Sequence, residues 1–234
     1  MNKKIILFHG SKEIIEKPAF GLGRKNNDYG RGFYCTASED MAKEWACTSR
    51  SDGFANRYII DMKDLNTLDL NSGDYTILHW ASVLVSHRLF RPETPIAGKA
   101  KKYLQENFYV NVEAYDVIRG YRADDAYYDF ANAFLNNAIT VEQLARAMQL
   151  GRLGEQIVLK SEYAFSKIVF DGYSIADRET FFPRRKARSS SAENAFHSIT
   201  EENADGLYMI DIIREKVTSD DPRISGIVSV QRHE

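Results

Sequence analysis

A chain of 234 residues with 44% hydrophobic residues suits one domain with an appendage or two small domains, and it is too apolar for global disorder. Its net charge of −2 argues against the broad basic footprint of a dedicated nucleic-acid binder. Cys35 and Cys47 are the only cysteines, which excludes a disulfide scaffold or a four-thiolate zinc site and fits a reducing cytoplasm.

In chain order, residues 1–4 are basic and residues 5–8 apolar, a run far too short for a signal h-region. No apolar stretch approaches the roughly 20 residues needed to span a bilayer, so a cytoplasmic protein with no membrane contact is expected. Residues 5–8 read as a buried strand stopped by His9-Gly10-Ser11. Residues 11–31 are polar and rich in Gly, Pro and Asn, a loop long enough to suggest function. Residues 33–36 predict a second strand, and Ser38 caps a helix whose Met41, Ala42, Trp45 and Ala46 share one face.

Further strands are expected at 58–62, at 115–118 (ended by Arg119-Gly120), at 156–159 and at 167–170. Helices are expected at 77–89, 98–107, 124–135 and 141–150. After about residue 175 the composition turns basic and serine-rich at 184–191, which predicts an exposed, mobile stretch before a last helix at about 204–218. Strands and helices do not alternate regularly, so the fold class is α+β. The division expected is a domain over 1–175 followed by a basic linker and helical extension over 176–234.

Three segments join turn glycines to polar and aromatic residues at strand ends: Phe8-His9-Gly10-Ser11, Asp28-Tyr29-Gly30-Arg31-Gly32-Phe33-Tyr34-Cys35-Thr36, and Leu153-Gly154-Glu155-Gln156-Ile157. Each alone is a common turn, bulge or solvated strand end. In this order they resemble the ADP-ribosyltransferase superfamily, in the His-Tyr-Glu branch of diphtheria toxin and the poly(ADP-ribose) polymerases. With Ala42-x-x-Trp45-Ala46 and the run from Tyr115 to Asp125, they are more closely similar to DUF3990, a bacterial family usually grouped with these transferases. The likeness covers residues 5 to about 172.

The resemblance implies a split β-sheet holding NAD, used as a substrate, in its cleft. His9 would bond a ribose hydroxyl, the backbone of Gly10 would lie against the carboxamide, Tyr34 would stack on nicotinamide, and Ser11 and Gly32 would be among the other residues that bind NAD. The catalytic acid falls on Glu155 in one alignment and on Gln156 when shifted by one residue. Only one of the two can point into the pocket, because neighbouring strand residues face opposite sides. If it is Gln156, Asp124 or Asp125 would have to supply the carboxylate. An acid is wanted because cleaving the nicotinamide–ribose bond passes through an oxocarbenium-like state.

Arg119, Arg122, Asp124 and Asp125 form a dense polar cluster after a strand. One account is helix capping by the two aspartates; the other pairs Arg119 or Arg122 with the NAD pyrophosphate. Asp28 and Arg31 lie where such folds place an NAD-contacting lid. Trp45 and Trp80 read as core residues, and His79, His87 and His197 have no metal-ligand partners at useful spacing. The basic run 184–188 reads as a solvated segment or as a contact for RNA, DNA or an acidic partner.

The expectation is therefore a mono-ADP-ribosyltransferase acting on a macromolecular acceptor, protein or nucleic acid. By analogy with the superfamily it would be toxin-like and restrained by a small antitoxin-like partner protein. The alternatives are a non-catalytic NAD or ADP-ribose binding module, and an interaction protein working through its basic C-terminal region.

Overall fold

The computed structural model describes residues 4–123, 125–150, 154–202 and 205–225, without the side chains at 125 and 126. Its architecture is α+β, with two sheets and surrounding helices. The first sheet joins β1 (Lys4–Ser11), β3 (Gly53–Asp61) and β7 (Ile168–Ala176), all antiparallel, in the order β1-β3-β7. The second has the order β2-β6-β5-β4, built from β2 (Phe33–Cys35), β6 (Glu155–Leu159), β5 (Val117–Tyr121) and β4 (Thr67–Asp69). Only the β4–β5 pair is parallel.

Among the described residues the sheets meet at one bridge, between β1 and Thr36 just after β2. Phe8 N–H donates to the Thr36 carbonyl (2.8 Å) and Thr36 N–H donates to that of Phe8 (2.9 Å). Beyond this bridge β1 and β2 make no further pair among the described residues, and the two sheets are otherwise separate.

Residue alternation sorts the two faces of the second sheet. Cys35, Val117, Ile157 and Leu159 pack with Leu7 and Ile60 of the first sheet. Ile118 and Val158, with half-buried Tyr34, face a larger core. That core is built by α2 (Ile77–His87), α3 (Pro95–Asn107), α4 (Asp125–Leu135) and α5 (Val141–Ala147). It also takes in Ala192 and Ile199 of α7 (Arg178–Glu201) and Met209 and Ile212 of α8 (Met209–Arg214). Two further short helices are α1 (Glu39–Ala46) on the first sheet and α6 (Glu162–Lys167) before β7. Among the described residues no helix is long and apolar enough to cross a membrane.

Several expectations are corrected. β1 does not stop at residue 8, because His9, Gly10 and Ser11 continue in register opposite Asn56, Ala55 and Phe54. Arg119-Gly120 lies inside β5 and does not end it. β4 was not expected; three residues without alternation leave no pattern to read. The stretch 184–191 is helical, within α7, because Arg184 and Arg188 pair with Asp40 and Glu44 of α1. The last helix is shorter, at Met209–Arg214.

Candidate functional site

The loop 12–32 connects β1 and β2, which carry His9 and Tyr34. His9 Nδ1 bonds the Tyr34 carbonyl at 2.7 Å, and the imidazole stacks on Phe33 with centroids 4.4 Å apart. A carbonyl can only accept, so Nδ1 carries the proton and Nε2 of the neutral ring is an acceptor. Burial lowers the His9 pKa, opposed by the hydrogen bond to Tyr34, so the neutral form prevails near pH 7.

Tyr34 faces the other way. Its hydroxyl donates to the Gly30 carbonyl (2.6 Å) and accepts from Tyr29 N–H (3.0 Å), closing the turn before β2. Burial raises its pKa, so the phenol stays protonated. Phe33 and Tyr34 are neighbours on one strand, so their rings leave opposite faces, and His9 lies on the Phe33 side. The structure therefore joins His9 and Tyr34 through backbone and ring nitrogen without making their rings converge.

The same alternation separates Glu155 from Gln156. Glu155 shares the side of Ile157 and Leu159, which is also the side of Phe33 and His9. Both its carboxylate oxygens are held: Oε1 accepts from Asn71 Nδ2 (2.8 Å) and Oε2 from Arg119 Nη2 (2.6 Å). Arg119 also lies 3.9 Å from Asp69, so β5 and the turn after β4 orient the carboxylate together. Glu155 lines an open pocket of about 500 Å³ with Thr36, Ser38, Asp40, Met41 and Arg188. It is the one residue of the His9, Tyr34, Glu155 and Gln156 set on that lining.

Gln156 is 6% exposed and donates to Asp28 Oδ2 at 3.3 Å, while its side-chain Oε1 has no hydrogen-bond partner among the described residues. Asp28, only 3% exposed, also accepts from Arg88 Nε (2.7 Å) and Ala123 N–H (2.9 Å). Burial nevertheless raises its pKa, the pairing with Arg88 opposing the shift. Asp28 thus ties the loop 12–32 to α2 and to the segment after β5.

The remaining candidates sit as follows. A Cβ at Gly10 would overlap the Ala42 carbonyl, so this glycine lets α1 pack against β1. Gly32 lies against Val158 and the Leu159 carbonyl in the same manner. Ser11 bonds the Glu13 carbonyl and accepts from Asn56 Nδ2. The Arg122 guanidinium lies 3.9 Å from the centre of the Trp45 ring, a cation–π contact. Asp124 lies outside the described residues; Asp125 begins α4, and its side chain is likewise outside them. Among the described residues no group of His, Cys, Asp or Glu could hold a metal ion.

Sequence reasoning missed Asn71, Arg88 and Arg188. Asn71 and Arg88 follow short or apolar segments with no chemical motif, and Arg188 was read only as part of a charge run.

A family model described as "Protein of unknown function (DUF3990)" matches residues 5–170, and the chain belongs to that family. No curated protein and no solved structure matches the chain.

Proposed function

Starting from a DUF3990 chain with this cleft, we propose that the protein is an NAD-dependent mono-ADP-ribosyltransferase that transfers ADP-ribose to a macromolecular acceptor. The observation that carries the reading is Glu155, a carboxylate oriented from two sides and lining an open pocket. The mixed α+β architecture with two sheets meeting beside this pocket supports the reading.

In the reaction the bond between ribose C1′ and the pyridinium nitrogen breaks, and its electron pair leaves with neutral nicotinamide. A lone pair on the acceptor forms the new bond at C1′, and the acceptor loses a proton. Glu155 opposes the positive charge that develops at C1′ and is the group that can take that proton. Asn71 and Arg119 hold its carboxylate ready, so little reorganisation is needed in the transition state. His9, neutral and with Nε2 as acceptor, is suited to a ribose hydroxyl on the same side of the sheet. Tyr34 takes no part in this reading, because its ring leaves the opposite face of β2 and its hydroxyl is held by the turn. We assign the acid to Glu155, since Gln156 is uncharged and bonded to Asp28.

Incubation of a cell lysate with adenylate-labelled NAD tests this. Label should pass to protein or nucleic acid with the wild type and with Gln156→Ala, and disappear with Glu155→Gln. Transfer unaffected by Glu155→Gln would overturn the assignment.

One observation favours a second reading, a module that binds NAD or ADP-ribose without turnover: both oxygens of Glu155 are already engaged. That reading is supported instead if NAD binds saturably while no label is transferred.

A further inference from the structure

The loop 12–32 is an ordered surface, and its outward charge differs from that of the molecule. Ile15 N–H donates to Asn56 Oδ1 (2.8 Å), and Tyr58 donates to the Ile15 carbonyl (2.6 Å). Gly23 packs on the backbone of Gly32, and Asp28 anchors the far end. On this scaffold Leu22 is held 82% exposed and Phe20 49% exposed. Phe20 meets Phe165 in a near-perpendicular ring contact at 5.6 Å and is otherwise half exposed. A fixed loop that displays these side chains presents a surface to something.

Lys12, Lys17, Arg24, Lys25 and Arg31 are all exposed on the loop, and none is in an ion pair or side-chain hydrogen bond among the described residues. The acids there are Glu13, Glu16 and Asp28, and Asp28 is buried against Arg88. The outward face therefore carries five cations against two anions, on a chain whose net charge is −2. The Gly23–Gly32 backbone contact brings the chain at Arg24 and at Arg31 into one neighbourhood, with Leu22 and Lys25 adjoining. The basic run of α7 is different: Arg184 lies on Asp40 and Arg188 on Glu44. Folding pairs Arg184 and Arg188 of the charge cluster that is obvious in sequence, whereas none of the five loop cations is paired among the described residues.

Cations near a half-exposed aromatic ring match a strand of phosphates carrying stackable bases. We propose that the loop 12–32 binds single-stranded nucleic acid, with Arg24, Lys25 and Arg31 on phosphates and Phe20 under a base. The ring series Phe20–Phe165–Phe33–His9, with centroids 5.6, 6.0 and 4.4 Å apart, runs from this patch to the candidate site. The binding itself does not depend on the NAD reading.

The test is fluorescence anisotropy of labelled single-stranded RNA and DNA of about 20 nucleotides, titrated with the full chain between about 50 and about 200 mM salt. Saturable binding is expected, with a log–log salt slope of about −2 from three phosphate contacts. Removing Arg24, Lys25 and Arg31 together (each→Ala) should weaken binding about tenfold or more and flatten that slope. Phe20→Ala should weaken it about fivefold or more with the slope kept. Arg185→Ala with Lys186→Ala should leave it within about twofold. All variants are at exposed or half-exposed positions, and matching thermal melts establish that they fold. Three results would each overturn the proposal: no saturable binding to either strand, loss caused by the α7 variant and not by the loop variants, or binding to phosphatidylserine vesicles in place of both strands.

Discussion

At the scale of single residues, what a side chain can do here depends on its neighbours more than on its type. Asp28 satisfies three donors from three different segments, so Asp28→Ala should strand the Arg88 guanidinium, the Ala123 N–H and the Gln156 amide together. The expected loss is about 3 kcal/mol, read by denaturant unfolding, because breaking a buried pair leaves its partner uncompensated. His9 gives a pH dependence of definite sign. Burial holds its pKa below the ordinary 6.5, so as pH falls through that value the unfolded chain takes up protons before the native one. Stability should fall as pH drops from about 7 to about 5. The decline should be shallower in His9→Asn; His79 and His87, lowered the same way by burial, account for the part that remains.

The motifs around His9, Tyr34 and Glu155 were legible because turn glycines beside polar and aromatic residues at strand ends are an unusual pattern. Which way each side chain points was not legible. That follows from the register of β2 against β6, where a slip of one residue exchanges Glu155 for Gln156. Asn71, which holds Glu155 from the turn after β4, gave no signal at all.

Among the elements, α1 was readable from its cap: Ser38 accepts from Met41 N–H, as the Ser-Glu-Asp-Met run suggested. Its partner surface was hidden in a glycine. Gly10 looked like a turn residue, yet it sits within β1 where α1 touches the strand. Gly10→Ala should force α1 away from β1 and cost about 2 kcal/mol or more. Gly73→Ala, with nothing near its Cβ, should change stability by less than about 0.5 kcal/mol in the same unfolding experiment. α7 was misread because its two buried residues, Ala192 and Ile199, are sparse among arginines and serines. What orders it is tertiary: the Arg188–Glu44 pair, and Phe181 and Phe182 packed on Ala46, Cys47 and Ala176.

For the whole molecule, the segment after residue 176 belongs to the main core. Ala192, Ile199, Met209, Ile212, Val217 and Ile224 are buried in the same cluster as Trp80 and Phe130. Each large apolar side chain among them contributes about 1.5–3 kcal/mol, against a total stability of about 5–15 kcal/mol. A chain cut after residue 176 should therefore lack a cooperative unfolding transition by circular dichroism. Arg188 reaches the Glu155 pocket from this same segment, so the site and the C-terminal helices stand or fall together.

The central claim, that Glu155 works on the glycosidic bond of NAD, is tested most directly by following nicotinamide release from NAD by the purified chain. The account predicts slow release by the wild type and at least about a hundredfold less by Glu155→Gln, with NAD binding retained. Equal release by the two proteins, or none by either while NAD binds, would contradict it.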